Sequence, residues 1–316
     1  MLVYKADRRT LGFVATYFAL LVALWVWSPT QWYFWVPLFL ALCSFSWFCA
    51  VITHNTIHTP IFHSERLNRL FQVVLTLTYG HPVSSYVSGH NLSHHMYAQE
   101  DRDIMRTYKV RSQWNLVNLA LFFPTVINGI MKSDFEFTRA MKDRLPTWYR
   151  QFWIELSVLA AATVTLVVLD WQKALVLWII PHIWAAWGII SINYLQHDGC
   201  DDTHPVNNSR NFTSRFFGWW TFNNGFHGVH HRYPDLHWSL CREVHDKEFA
   251  PTIDPRLDQP SIAKYFFKAF IFPGKRVRYD GAPVELPPVD ANQKWWPEPG
   301  EPIPEKVSFG AVGAGR

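Results

Sequence analysis

Residues 32–58 read WYFWVPLFLALCSFSWFCAVITHNTIH, and this stretch decides the fold. Trp32 to Thr53 run without a charge. At ~1.5 Å rise per residue they cover ~33 Å, enough to cross the hydrocarbon core of a bilayer as a helix. The run then ends in His54 and His58, four residues apart. On a helix that spacing presents both imidazoles from one face.

Working outward, Leu11 to Trp27 form a second charge-free run, joined to the first through Ser28-Pro29-Thr30-Gln31. The two runs predict an antiparallel membrane hairpin. Lys5, Arg8 and Arg9 precede the first run as they would a signal peptide. No small-residue cleavage site follows, and the next span begins at once, so a span is expected. A second hairpin is written at Phe152–Leu169 and Ala174–Ile192, joined by Asp170-Trp171-Gln172-Lys173. Glu155 is expected at the interface, with its carboxylate reaching water. Residues 115–131 are apolar but interrupted by Pro124 and Asn128. An interfacial helix is expected there, because a fifth span would put the two halves of the chain on opposite sides.

Residues 54–150 hold eleven of the 29 Arg and Lys, whereas the hairpin loops hold only Lys173, offset by Asp170. The positive-inside rule therefore places both termini and the long polar segments in the cytoplasm. The expected fold is an all-α integral membrane protein. Four transmembrane helices form two hairpins, with spans at about 11–27, 32–53, 152–169 and 174–192, under a cytoplasmic helical cap that holds the histidines. Residues 1–250 form the catalytic domain and 251–316 a cytoplasmic C-terminal extension. Its tail from Pro283, rich in Pro, Glu and Gly, is expected to be extended or disordered.

Composition supports a membrane reading. The mean hydropathy of −0.04 averages long apolar runs with a strongly polar remainder. Seventeen Trp suit the headgroup zone, where an apolar ring with one N–H donor is favoured. A net charge of +4, without a dense basic run, gives no nucleic-acid signature. The four cysteines have no metal-ligand spacing and are expected to be reduced.

The chemistry lies in the histidines. Of fifteen, nine fall into four groups: His54 and His58; His90, His94 and His95; His197, one turn after Asn193; and His227, His230 and His231. Each group sits at the end of a span or in a polar segment that follows one. On helices, His54/His58, His90/His94 and His227/His230 can each present a pair on one face. The second member of each doublet, rotated by ~100°, lets one helix serve two metals. Nine imidazoles exceed what one ion takes, so two metals are expected. No His-Glu-x-x-His zinc motif and no Glu-x-x-His pair occurs. An imidazole-rich site beside a membrane suits iron handling O2, with zinc and copper as the other imidazole metals. A transporter would carry polar ligands near the bilayer midplane, not at the ends of spans. His63, His81, His182, His204, His237 and His245 are scattered and read as packing, capping or surface residues.

The H-x3-H, H-x3-H-H and H-x2-H-H pattern across paired hairpins resembles the membrane fatty acid desaturase superfamily. The likeness covers roughly residues 10–250. It includes His54-Asn55, Phe62 and Leu67-Asn68 around the first group, and Gly89-His90-Asn91 with Asp101-Arg102-Asp103 around the second. It also includes Asn224, Phe226-His227, Pro234 and His237-Trp238 around the last. The resemblance implies two Fe, as Fe2+ in the reduced state, with O2 as co-substrate. The ligands it implies are His54, His58, His90, His94, His95, His197, His227, His230 and His231, with Asn193 acting at one remove through a water. It implies a desaturase that introduces a C=C bond into an acyl chain. Alternatives on the same scaffold are a hydroxylase, a ketolase, a terminal-alkene-forming decarboxylase or a desaturase of a small non-lipid substrate. The Asn193-Tyr194, His197 and Gly199 wording is similar to membrane alkane hydroxylases. No nucleotide fingerprint, iron–sulfur cysteine spacing or fused cytochrome b5 motif is present. Electrons are therefore expected from an external ferredoxin- or cytochrome b5-like donor, with membrane lipid and acyl substrate as the other partners.

Overall fold

The computed structural model describes residues 1–29, 31–288, 301–302 and 307–311; Thr30 of the first hairpin loop and most of the tail lie outside them. The long helices follow the apolar runs. They are α1 (Arg8–Trp27), α2 (Trp32–His58), α3 (Glu65–Tyr79), α4 (Asn115–Arg144), α5 (Pro146–Leu169) and α6 (Trp171–His197). Five of these, all but α3, are long and apolar enough to cross a membrane.

α4 contains the helix expected over residues 115–131 and extends it to Arg144; as a fifth helix long and apolar enough to cross a membrane, it departs from the expected four. It is one unbroken helix through Pro124 and Asn128. Proline removes one i→i−4 donor, and helices in apolar surroundings absorb that loss when neighbours re-satisfy the freed group. Local propensity is thus overridden by a continuous apolar stretch with Leu119, Phe122 and Val126 buried. The second hairpin turn is tighter than expected. Asp170 alone breaks the helix, and its Oδ1 accepts from the Lys173 N–H at 3.0 Å to start α6.

The chain divides into two compact units. The first comprises Met1–Val87, Ala140–Ile189 and Glu305–Arg316. Here α1 packs on α2 through Phe13 against Phe45 and Phe48. Gly188 admits Trp47 so closely that a Cβ would meet its ring at 2.6 Å. Glu155 is fully buried, so its carboxylate does not reach water as expected. Its carboxylate accepts from the Ser84 N–H at 2.8 Å, Ser84 Oγ at 3.1 Å and Gln151 Nε2 at 2.9 Å. Those three donors replace water, which is what makes a carboxylate tolerable inside a bundle. Outward-facing Val22, Val26, Val164, Val168 and Leu169 are exposed, an apolar surface suited to lipid. Part of the tail is ordered in this unit. Phe309 is buried and Ser308 Oγ donates to the Ile57 carbonyl at 2.5 Å, so residues 307–311 are packed without helix or strand. The remaining tail positions 289–300, 303–306 and 312–316 lie outside the described residues.

The second unit comprises Ser88–Arg139 and Ile190–Pro304. It contains the helices α7 (Arg215–Trp220), α8 (His227–Arg232) and α9 (Ile262–Phe266), and most of a π-helix, Val87–His94. A two-residue parallel pair, Asn211–Phe212 with Asp258–Gln259, ties its long loops together. All four cysteines are free and buried, as their spacing indicated.

Candidate metal centre

His94, His197, His227 and His231 gather in the second unit, with one ligand nitrogen from each within 4.8 Å of the others. The Nε2 atoms of His197 and His227 are 2.8 Å apart, and that of His231 lies 3.1 Å from both. Beside this group, His95 Nε2 lies 3.1 Å from His90 Nε2 and 2.9 Å from His230 Nε2. The two groups adjoin, since the His95 and His231 rings stack at 4.7 Å between centroids.

Local helix geometry sorts the side chains between the groups, and it does so differently from the expected i,i+4 and i,i+3 pairs. In the π-helix the turn is wider, so His90 shares its face with His95, five residues on. His94 is turned to the other group. In α8, His227 pairs with His231, one α-turn later, while His230 faces His90 and His95. Each of these two elements therefore serves both groups. His54 and His58 belong to the first unit. They stand one turn apart on α2 with rings 5.8 Å apart, and His54 Nδ1 lies 3.2 Å from Asn55 Oδ1.

The outer nitrogens fix which atoms point inward. His94 Nδ1 donates to Asp103 Oδ2 at 2.9 Å, and both side chains are fully buried. Asp103 also accepts from the backbone N–H groups of Gln99 at 2.9 Å and Met105 at 2.7 Å. Burial pushes this carboxyl group up, but the adjoining His94 imidazole and the three N–H donors outweigh it and hold it below the usual carboxylate range. His197 Nδ1 donates to the Asn208 carbonyl at 3.2 Å. With Nδ1 carrying the proton, Nε2 of each ring keeps its lone pair toward the group.

This donor set fits a metal. His94 Nε2 is buried and has no hydrogen-bond partner, an arrangement that costs free energy unless something else accepts its lone pair. Bonds of about 2.1 Å at right angles place neighbouring nitrogens ~3.0 Å apart. The observed separations of 2.8 to 3.1 Å match. Imidazole suits iron, as it suits zinc and copper.

Asn193, expected to act through a water, is buried one turn before His197 and donates through Nδ2 to the Met105 carbonyl at 3.3 Å. The scattered histidines have other partners. His182 Nε2 lies 3.1 Å from Tyr17 Oη, His204 Nδ1 accepts from the Val206 and Asn207 N–H groups, and His237 Nδ1 lies 2.8 Å from Ser239 Oγ. Reading the sequence assigned no role to Asp103, although it stands in the quoted Asp101-Arg102-Asp103 run. A buried acid nine residues after His94 is the signal that could have found it.

No curated protein matches the chain. The family described as fatty acid desaturase matches it over residues 29–260, a stretch that holds all nine grouped histidines. The family implies an oxidoreductase, and with five helices able to cross a membrane beside the clustered imidazoles, the chain belongs to the fatty acid desaturase family.

Proposed function

We propose that the protein is a membrane di-iron desaturase that introduces a C=C bond into an acyl chain. The observation that carries this reading is the inward convergence of His94, His197, His227 and His231 beside His90, His95 and His230. The proposed ligand set is these seven with His54 and His58, and Asn193 acts through a water. The bound irons would supply O2 reduction and hydrogen abstraction, with the balance CH2–CH2 + O2 + 2 e⁻ + 2 H⁺ → CH=CH + 2 H2O.

The residues of the chain do the rest. Asp103 and the Asn208 carbonyl hold the His94 and His197 rings in one tautomer. Leu92, Ile104 and Phe226, which neighbour site residues in sequence, are buried, and a water-poor setting would strengthen the electrostatics of the site. The acyl chain is held so that one C–H bond is presented, and positioning decides which carbon reacts. Two electrons come from an external ferredoxin- or cytochrome b5-like donor on the cytoplasmic side, where both termini lie.

A hydroxylase on the same scaffold is the second reading, favoured by the Asn193-Tyr194, His197 and Gly199 wording. Product mass separates the two. Purified protein given O2, a reductant system and acyl lipids should yield a product lighter by two hydrogens. A product heavier by one oxygen would replace desaturation with hydroxylation.

A further inference from the structure

Arg276 lies beyond the family-matched residues and is almost fully buried. Its guanidinium group spends its donors on two separate elements. Nε donates to Asp198 Oδ1 at 3.0 Å and Oδ2 at 3.2 Å, and Nη2 also bonds Asp198 Oδ1. Nη1 donates to the Val110 carbonyl at 2.5 Å and Nη2 to the Thr107 carbonyl at 3.1 Å. The backbone around it is equally committed. Asn115 N–H donates to the Gly274 carbonyl at 2.8 Å, Arg276 N–H to Gln113 at 3.0 Å and Tyr279 N–H to Gly199 at 2.8 Å. Gly199 has φ +71°, and a Cβ there would meet the Val277 carbonyl at 2.6 Å. Residues 274–279 therefore form a strap laid directly on the turn that follows His197.

Both arms of this joint end on the same four-histidine group. Asp198 directly follows His197 and also accepts from Tyr194 Oη at 2.9 Å. Along the other arm, Thr107 donates through N–H and Oγ1 to Gln99 Oε1 at 2.8 and 3.0 Å. Gln99 N–H donates to Asp103, and Asp103 accepts from His94. A planar guanidinium fork holds both arms at fixed angles in a way that an ammonium cannot.

We propose that residues 274–279 are a strap that sets the relative position of His94 and His197, with Arg276 as its positioning residue. The inference rests on the metal-site reading above. It predicts that a segment outside the family-matched residues tunes the metal centre, without contributing a ligand.

The test uses the full-length protein stripped of metal and titrated with Co2+ as a spectroscopic probe, in wild type, Arg276→Lys and a stability control, Val126→Ala. Val126 is fully buried on α4 in the same unit and is not part of the strap. Both variants should melt at lower temperature. Arg276→Lys should in addition bind Co2+ roughly tenfold more weakly, at the low end for groups behind metal ligands, and shift its ligand-field absorption. Val126→Ala should leave affinity and absorption as in wild type. Should Arg276→Lys fail to accumulate, Asp198→Asn carries the same expectation from the other side of the pair. If the Arg276 or Asp198 variant binds Co2+ with wild-type affinity and spectrum, or if Val126→Ala shifts both equally, the positioning role is wrong. Failure of the wild type to bind Co2+ or Fe2+ would instead overturn the metal-site reading.

Discussion

A neutral imidazole offers one N–H and one lone pair, and whatever binds the first nitrogen aims the second. For His94 that partner is Asp103, an anion held by two backbone N–H groups in a fully buried position. Asp103→Asn keeps an acceptor of the same shape but removes the charge that raises ligand basicity. Iron affinity, measured by chelator competition, should fall roughly 10–100-fold; wild-type affinity would remove Asp103 from the account. A second histidine shows the same logic away from the metal groups. His245 lies between Asp246 at 3.2 Å and Asp258 at 3.1 Å. Burial lowers its pKa, but the two carboxylates outweigh burial and raise it above the ordinary value. A raised folded pKa gives stability that is fully present below the unfolded value of ~6.5 and is lost as pH rises through the folded one. The melting temperature of wild type should therefore drop, relative to His245→Asn, as pH is raised from 6 through that range. Parallel profiles would show that His245 is not charged in the fold.

At the scale of elements, hydropathy made the long helices legible and left their detail obscure. Long apolar runs marked α1, α2, α5 and α6 because nothing else in the sequence explains such stretches. One inference failed because tertiary surroundings supply what local rules leave unsatisfied: Glu155 did not seek water, since Ser84 and Gln151 meet its carboxylate. The face assignment of the histidines failed differently. A π-helix over Val87–His94 has no sequence signature, and it exchanges the partners of His90 and His94. α4 also bears on membrane topology, because its apolar half precedes a charged half containing Lys132, Asp134, Glu136 and Arg139. If it lies in the interface, as the four-span reading proposes, its flanks share one side of the membrane. Arg111 and Lys132 flank its apolar half and are exposed, so cysteines placed there probe the two ends. In a background without the native cysteines, both should react with an impermeant reagent from the cytoplasm. Labelling from opposite sides would make α4 a fifth span and require a new topology for the chain.

For the whole molecule, the nine histidines were readable as a set because metal ligation is one of few reasons for imidazoles to recur at helical spacing. What lay beyond reading was most of the scaffold behind them: the Asn208 carbonyl and the Arg276 joint are a backbone atom and a single polar residue with no spacing to betray them. The proposed function stands or falls on whether these imidazoles hold two iron ions. Its most direct test is the metal content of the purified, full-length protein, measured per chain for wild type and for His94→Ala. Wild type should carry close to two iron per chain, and His94→Ala should lose iron while still inserting in the membrane. Zinc as the sole bound metal in wild type, or an unchanged iron content in His94→Ala, would contradict the account.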